Sequence, residues 1–321
     1  MKIVIPDDYQ DAARSLNCFT TLAGHDVVVY RDTVKTVDAL VERFKDAEAL
    51  VLIRERTRIT RELVARLPKL RLISQAGHGG AHIDIDACTD HGITVCASGI
   101  SNPDAAAEIT WALLLASTRF LISESNRTQQ GLWQGRLGES ISGKTLGIVG
   151  YGKIGQRIAR YGKAFGMNVV VLGHRPSTVE RALADGLSII ENRRDFFAQA
   201  DFVSLHLRLN TDTRGFVTLA DLLAMKPTAH LINTARSQLI ESGALVKALD
   251  SGRPGYAALD VYDDEPITTS NHPLLGRNNV ICTPHIGYTE RGTYEVYLGA
   301  AFDQIVAFAT GKPIHVLGSG H

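Results

Sequence analysis

Ionisable residues follow three apolar segments in the second half of the chain. The segments are HLINTARSQLI (230–240), YAALDVYDDEP (256–266) and ICTPHIGYTE (281–290), and each begins like a buried strand before it runs into charged residues. In a parallel sheet the carboxyl ends of the strands meet at one edge, which is where doubly wound folds bind their ligands. We therefore expect an arginine, several acids and a histidine to gather there, where a guanidinium can bind an anion and an imidazole can transfer a proton.

A glycine-rich turn upstream of these segments has the spacing of a dinucleotide fingerprint. It reads GYGKIG, ends the strand-like TLGIVG and opens the helix-like QRIARYGKAFG. In this motif Gly150 permits the tight turn, Gly152 lets the backbone approach a pyrophosphate, and Gly155 lets the helix pack closely on the strand. The amides of Lys153 and Ile154 then face the anion at the start of the helix. The segment predicts a binding site for NAD(P).

The strand after the fingerprint helix, NVVVLG, ends without the acid that usually hydrogen-bonds the ribose 2′-hydroxyl of NAD. Gly173 stands at that position, and His174 and Arg175 follow it. Without the acid a 2′-phosphate meets no repulsion, and the guanidinium of Arg175 is a bidentate partner for one. The sequence therefore favours NADP over NAD. The alternative is that Arg175 is a solvated loop charge and that NAD is accepted without an acidic clamp.

Short apolar strands alternate with helix-like segments along the chain, as in α/β proteins with parallel sheets. A first series comprises KIVI (2–5), VVVY (27–30), ALVLI (49–53), RLIS (71–74) and ITVC (93–96). A second series comprises TLGIVG (145–150), NVVVLG (168–173), FVSLHL (202–207), HLINTA (230–235), YAALDV (256–261) and NVICTP (279–284). The pattern predicts two consecutive Rossmann-like, doubly wound parallel sheets.

The boundary between the two series falls at Ser101-Asn102-Pro103, where a good N-cap residue precedes a proline at the first position of a helix. That helix, 103–120, is apolar on nearly every face, so we expect a domain or subunit interface to bury it. A last helical pattern, 289–310, is expected to return to the first domain. The predicted domains are therefore 1–101 with 288–321, and 102–287.

Composition argues against nucleic acid and membrane partners. Lys plus Arg and Asp plus Glu are equal at 34 each in 321 residues, so no net field attracts a polyanion. No stretch reaches the ~20 apolar residues of a membrane span, and the N-terminus has no apolar region of a signal peptide. The four cysteines are far apart without a CxxC pair, which is typical of reduced thiols. We expect a cytoplasmic protein that binds a small molecule.

The three polar-ended segments together resemble the D-isomer-specific 2-hydroxyacid dehydrogenase family, which includes phosphoglycerate dehydrogenase and glyoxylate/hydroxypyruvate reductase. The similarity extends over nearly the whole chain, from VLIRERTRIT and AGHGGAHIDID to PHIGYTE. It implies a flavodoxin-like substrate domain and an NAD(P)-binding Rossmann domain. It also implies that Arg236 binds the substrate carboxylate, that His285 is the catalytic acid/base and that Glu265 pairs with His285.

The reduction of a 2-keto acid needs side chains of these three types. A hydride goes to carbon and a proton to oxygen, and a histidine supplies the proton when its pKa is near or above the working pH. A carboxylate such as Glu265 favours the imidazolium and orients the ring, while a guanidinium such as Arg236 holds the substrate carboxylate with two hydrogen bonds. Asp263 and Asp264 are the acids that reach the histidine if the loop is built otherwise.

The resemblance also implies ligand contacts outside this triad. Backbone amides of a glycine-rich loop in the first domain, at Gly77, His78 and Gly79, hold the substrate carboxylate together with Arg236. The cofactor contacts beyond the fingerprint fall on Leu207, Thr234, Ala235, Asp260 and Gly287, with Asp260 on the nicotinamide carboxamide. His78, His82 and Cys88 lie close in sequence, but three residues around an anion-binding loop do not predict a metal.

Two alternatives stay open. One is a short-form D-3-phosphoglycerate dehydrogenase, because no motif specifies which 2-hydroxy acid is the substrate. The other is a dinucleotide-sensing, corepressor-like protein without turnover, against which the complete triad and the lack of a basic tail argue. A homodimer is expected from the resemblance and from the apolar helix at 103–120.

Overall fold

The computed structural model describes residues 1–78, 80, 82–173 and 175–318. The strands are β1 (Lys2–Ile5), β2 (Asp26–Val29), β3 (Ala49–Ile53), β4 (Leu72–Ala76), β5 (Thr94–Ala97), β6 (Thr145–Val149), β7 (Asn168–Leu172), β8 (Ser188–Ile190), β9 (Phe202–Leu205), β10 (His230–Asn233), β11 (Tyr256–Leu259) and β12 (Val280–Cys282). The α-helices are α1 (Val37–Phe44), α2 (Arg61–Ala65), α3 (Ile85–Asp90), α4 (Pro103–Thr118), α5 (Leu121–Gln129), α6 (Lys153–Ala164), α7 (Pro176–Ala184), α8 (Arg193–Gln199), α9 (Leu219–Ala224), α10 (Ala244–Asp250) and α11 (Arg291–Ala309). Short 3₁₀ helices span Ala13–Ser15, Asn17–Leu22 and Ser237–Leu239.

The chain divides into two compact units, Met1–Asn102 with Thr289–His321, and Pro103–Tyr288. Within the described residues each unit has one sheet, and neighbouring strands in both sheets run parallel. The predicted fold class, two doubly wound parallel α/β sheets, is therefore confirmed.

The first unit has the strand order β2-β1-β3-β4-β5, which is the flavodoxin-like order. Its central strands β3 and β4 are buried along their whole length, as expected for strands covered on both faces. Helix α11 packs on this sheet, where Ser74 of β4 donates its hydroxyl hydrogen bond to the carbonyl oxygen of Ala301 at 2.8 Å. Phe302 and Ile305 of α11 are fully buried, so the last helix contributes to the first core.

The second unit has the order β12-β11-β10-β9-β6-β7-β8, which is the Rossmann order extended by one strand. The hydrophobic pattern of the sequence does not predict strand β8. Its three residues, SII, lie half-buried or exposed at the edge of the sheet, and a segment this short carries no readable period.

Helix α4 is less completely buried than its composition predicts. Nine of its sixteen residues are buried, among them Trp111 and Leu114. Asp104, Glu108 and Ala112 recur every four residues and form an exposed stripe. Among the described residues no single helix is long and apolar enough to cross a membrane, whereas α4 with α5, bent by 65°, passes the same test as a pair.

Candidate active site

Five strands of the second unit end in one row across the sheet. The residues at these ends, each in register with the next, are Val149, Leu205, Asn233, Leu259 and Cys282. The glycine fingerprint starts directly after this row, and so do the polar parts of the three segments. Register alone therefore brings Arg236, Asp260 and His285 to one edge, each within three residues of a strand end.

His285 and Glu265 form a close pair at this edge. The Nδ1 of His285 lies 2.6 Å from Oε2 of Glu265, and the two side chains are only 13% and 17% exposed. Such a short contact between a carboxylate and an imidazole is a charge-assisted hydrogen bond when the ring is protonated. The pair can hold a proton and fix the plane of the ring.

The backbone of His285 is held in an unusual conformation. Its φ is +52°, which is uncommon for a residue with a side chain. The His285 amide donates to the carbonyl oxygen of Thr283 at 3.0 Å, across Pro284. A conformation of this kind persists only where the surroundings hold it.

Asp260 supplies much of that support. Its Oδ1 accepts hydrogen bonds from the Thr283 hydroxyl at 2.6 Å and the Ile286 amide at 2.8 Å, and its Oδ2 accepts from the Gly287 amide at 2.8 Å. The residue is fully buried. Burial raises the pKa of Asp260, while these hydrogen bonds and the charge of His285 oppose the rise. The acid that the resemblance assigns to the nicotinamide carboxamide thus also fastens the histidine turn.

Asn233, the last residue of β10, organises the turn that carries Arg236. Its side-chain amide donates to the carbonyl oxygen of Arg236 at 2.9 Å, and its Oδ1 accepts from the Ala235 amide at 3.1 Å. The hydroxyl of Thr234 lies 2.6 Å from that of Thr110 on α4. Asn233 is not singled out from the sequence. An asparagine at the end of a buried strand, as in NTAR, could have indicated a side chain that holds the following turn.

The acids of the DDEP segment point to different partners. The hydroxyl of Ser237 donates to Oδ1 of Asp263 at 2.9 Å, whereas Glu265 reaches the histidine. Oε1 of Glu265 also accepts from the amide of Tyr262 at 2.9 Å. Each carboxylate oxygen of Glu265 therefore has a partner in this loop.

The three fingerprint glycines differ in the reason why a glycine is needed at each position. Gly150 has φ +96°, and a Cβ there would lie 2.7 Å from the carbonyl carbon of His206 and 2.8 Å from the amide nitrogen of Leu207. A Cβ on Gly155 would lie 2.3 Å from the carbonyl oxygen of Gly150. Gly152 has an ordinary φ of −95°, and a Cβ there would meet no atom within 4 Å.

The surroundings of Gly152 fit a dinucleotide. The chain's own packing does not require a glycine at this position, whereas close approach of a pyrophosphate does. Gly152 is the N-cap of α6, and no side chain among the described residues caps the helix that begins at Lys153 and Ile154. An uncapped helix start with outward amides is an anion site in this fold.

The end of β7 is crowded. A Cβ on Gly173 would lie 2.7 Å from Cγ2 of Ile189 and 3.3 Å from Cγ of Glu191. The guanidinium of Arg175 lies 3.7 Å from the carboxylate of Asp212, and both side chains are exposed. His174 lies outside the described residues. Glu191, which follows β8, brings a carboxylate near this strand end that the sequence reveals only once β8 is placed.

The glycine-rich loop of the first unit lies against an arginine. Gly77 has φ +93°, and a Cβ there would lie 2.9 Å from Nη1 of Arg54. The Arg54 guanidinium also stacks over the ring of Tyr297, 5.7 Å from its centre. His78 is exposed, and Gly79 lies outside the described residues. Arg54 is not predicted from the sequence as a site residue. The feature that could have indicated it is a charged residue directly after the buried strand β3.

No metal cluster accompanies this loop in the part of the chain that the structure describes, where no three His, Cys, Asp or Glu side chains are arranged to hold an ion. His82 instead contacts Oε1 of Gln75 through Nε2, at 2.9 Å. Burial lowers the pKa of His82 to about 4. All four cysteines carry free thiols.

A Rossmann-ordered sheet, a fingerprint that fits a pyrophosphate and a histidine–carboxylate pair at the same edge are features of nicotinamide-dependent oxidoreductases. Comparison with known proteins agrees. The model of the D-isomer specific 2-hydroxyacid dehydrogenase, NAD binding domain, matches residues 111–287. This chain belongs to the D-isomer specific 2-hydroxyacid dehydrogenase family, as the sequence resemblance predicts.

Individual relatives carry two names. The glyoxylate reductase of Aeropyrum pernix is 36% identical over 285 residues, which is 86% of this chain and 84% of that protein. The D-3-phosphoglycerate dehydrogenase of Methanocaldococcus jannaschii is 37% identical over 255 residues, which is 78% of this chain but 48% of that protein. A phosphoglycerate oxidoreductase of Vibrio cholerae O395 superposes with a TM-score of 0.93 at 50% identity, over 97% of this chain and 99% of that one.

Proposed function

We propose that this chain interconverts a 2-keto acid and a D-2-hydroxy acid, with His285 as acid/base, Glu265 as its partner and Arg236 as the group that binds the substrate carboxylate. The observation that carries the proposal is the 2.6 Å contact between His285 and Glu265 at the edge where the fingerprint lies. A bound nicotinamide dinucleotide supplies or accepts the hydride.

The contact between His285 and Glu265 determines which ring nitrogen of His285 exchanges a proton with the substrate. Glu265 engages Nδ1 of His285, so the proton that the ring exchanges with substrate is the one on Nε2. In reduction the ring begins protonated and gives this proton to the carbonyl oxygen. In oxidation it begins neutral and takes the hydroxyl proton, and Glu265 stabilises the imidazolium that results. Arg236 fixes the carboxylate, and so the carbonyl, by two hydrogen bonds.

We assign these tasks to the predicted domains. Residues 102–287 hold the dinucleotide, through the fingerprint and through Leu207, Thr234, Ala235, Asp260 and Gly287. Residues 1–101 with 288–321 form the substrate domain, and the amides of Gly77 and His78 contribute to the carboxylate site. The positive φ of Gly77 supports this, because a glycine can turn its amide towards an anion where other residues cannot.

We propose NADP(H) as the preferred cofactor. Gly173 removes the usual acid and Arg175 offers a charge, half exposed at the start of α7. The variant Arg175→Ala should raise the KM for NADPH about tenfold and leave that for NADH nearly unchanged, while the exposed Arg194→Ala serves as control. The carboxylate of Glu191 is the competing influence. Preference of the wild type for NADH would overturn the proposal, and reversal of that preference in Glu191→Gln would identify this carboxylate as the cause.

The substrate is tested with a panel of 2-keto acids. Glyoxylate, hydroxypyruvate, pyruvate, phenylpyruvate and 3-phosphohydroxypyruvate are each supplied with saturating NADPH and NADH. The last compound represents the second candidate, a D-3-phosphoglycerate dehydrogenase, which the name of the Vibrio cholerae relative supports. We expect turnover of at least one acid. Tight dinucleotide binding without turnover of any would instead favour a sensor.

We also propose a homodimer. Large apolar side chains are exposed on α5 and in the segment after it: Leu121, Ile122, Leu132, Trp133 and Leu137. Exposed apolar side chains of this size are typical of protein interfaces when they form one patch. Light scattering should give twice the mass of the 34.9 kDa chain, and Trp133→Ser with Leu137→Ser should shift the protein to monomer. A monomeric wild type at micromolar concentration would contradict this.

A further inference from the structure

Tyr262 contacts both sides of the proposed acid–base pair. Its backbone amide donates to Oε1 of Glu265 at 2.9 Å, and its hydroxyl donates to the carbonyl oxygen of Thr283 at 3.0 Å. The His285 amide donates to the same carbonyl oxygen at 3.0 Å. With the contact between His285 and Glu265, these bonds close a ring of four residues, Tyr262, Glu265, His285 and Thr283.

We infer that Tyr262 is a positioning residue, whose hydroxyl fixes the Thr283–His285 turn and thereby sets the contact of the His285 ring with Glu265. The inference rests on the proposed function of His285. It goes beyond it, because Tyr262 acts through the pair and is given no contact with substrate.

The hydroxyl matters because His285 occupies a left-handed conformation. Its φ of +52° is held in part by the bond from its own amide to Thr283. The hydroxyl of Tyr262 fixes the other lone pair of that carbonyl and so restrains the acceptor itself. Tyr262 is only 7% exposed, so water cannot readily replace the hydroxyl.

The Tyr262 hydroxyl also keeps the proton that it donates to the carbonyl oxygen of Thr283. Burial raises the pKa of Tyr262, and the nearby Cys282, Asp260 and Glu265 act in the same direction. The group therefore stays protonated across the working range of pH. The Tyr262 ring is placed independently by an edge contact with His272, with ring centres 5.4 Å apart.

Loss of the hydroxyl should loosen the turn without releasing it. Asp260 still accepts hydrogen bonds from the Thr283 hydroxyl and from the Ile286 and Gly287 amides. The variant Tyr262→Phe keeps the amide bond to Glu265 and the ring, so it removes one bond of the four. In the described part of the second unit, Glu265 and Tyr288 contact the His285 ring, and the charge of Asp260 interacts with it.

The experiment measures the proton affinity of the His285 ring directly. The full chain with ¹³C-labelled histidine is titrated by NMR without substrate, and the His285 signal is assigned from its absence in His285→Gln. In Tyr262→Phe we expect the midpoint to fall by about half a pH unit, because the imidazolium loses part of its contact with Glu265. The kcat for reduction above pH 8 should fall about fivefold, with the KM for the dinucleotide unchanged.

Tyr294→Phe is the matched control. It deletes the same atom from a buried tyrosine in the first unit, where the hydroxyl donates to Gln10 at 2.9 Å. It should lower the melting temperature without moving the His285 midpoint. The double variant Tyr262→Phe/Glu265→Gln adds a second test, since the tyrosine effect on the midpoint should shrink when the carboxylate is absent.

The outcomes separate the two proposals. An unchanged His285 midpoint and pH profile in Tyr262→Phe, with a loss of stability like that of the control, overturns the positioning role. A midpoint shift that persists fully without the Glu265 charge does so too, because Tyr262 then does not act through the pair. If the wild type reduces no keto acid, the proposed function fails, yet the NMR titration still decides whether Tyr262 sets the histidine.

Discussion

Oδ2 of Asp260 and the amide nitrogen of Gly287 lie 2.8 Å apart, and this bond fastens the end of strand β11 to the turn that carries His285. Oδ1 holds the Ile286 amide at the same distance. A single carboxylate thus orders the two successive backbone amides that follow His285. The side chain is buried, so no solvent competes for these bonds.

Asp260→Asn should therefore disturb the turn more than its small change in shape suggests. An amide nitrogen cannot accept a hydrogen bond, so at least one backbone N–H loses its partner at a cost of about 1–3 kcal/mol. We expect kcat to fall at least tenfold and urea unfolding to shift by that energy. Asp201→Asn is the control, because Asp201 accepts the Thr145 amide at 2.8 Å at the other end of the sheet. A kcat equal to wild type would contradict the assigned role.

Glu265→Gln should move the pH dependence of reduction towards acid. The carboxylate stabilises the protonated ring, and without it the ring releases its proton at lower pH. At pH 8 we expect kcat for reduction to fall at least about tenfold, with a smaller loss at pH 6. Asp263→Asn, whose carboxylate contacts Ser237, should leave the profile in place. If the pH profile instead shifts in Asp263→Asn and stays in place in Glu265→Gln, Asp263 is the carboxylate that pairs with His285 in solution.

The fingerprint glycines should separate folding from binding. Gly150→Ala should destabilise the fold, because φ is +96° and a Cβ would lie 2.7 Å from backbone atoms of the neighbouring strand end. Gly152→Ala should leave the free energy of unfolding nearly unchanged, yet weaken dinucleotide binding about tenfold or more. Urea unfolding and fluorescence titration with NADPH measure the two effects. Unweakened binding in Gly152→Ala would show that the pyrophosphate lies elsewhere.

Stability should fall in mild acid. Burial lowers the pKa of His82 and of His230 to about 4, from 6.5. These two histidines therefore bind more protons in the unfolded chain between pH 6.5 and 4, so their contribution to stability is complete above pH 6.5 and is lost as the pH falls towards 4. Each histidine contributes on the order of 3 kcal/mol at most. Urea unfolding from pH 4 to 8 measures the slope, and His230→Phe should reduce it by about one proton.

The sequence predicts the fold well because the strands of both sheets are apolar runs bounded by turns. It misses β8, whose three residues lie at an edge of the sheet. It therefore also misses Glu191, which follows β8 and lies near Gly173 at the end of β7. Residue types and strand ends were enough to place Arg236, Glu265 and His285 at one edge. The supporting contacts of Asn233 and Tyr262 depend on how the loops return to the strand ends, which periodicity does not encode.

The decisive variant is His285→Gln, assayed with whichever keto acid the wild type reduces. Glutamine keeps a polar side chain of similar reach but cannot donate a proton as an acid, so we predict that kcat falls at least about 100-fold. Dinucleotide binding should stay within a factor of two, because the fingerprint is untouched. Retained turnover in His285→Gln would contradict the assignment of His285 as the acid/base.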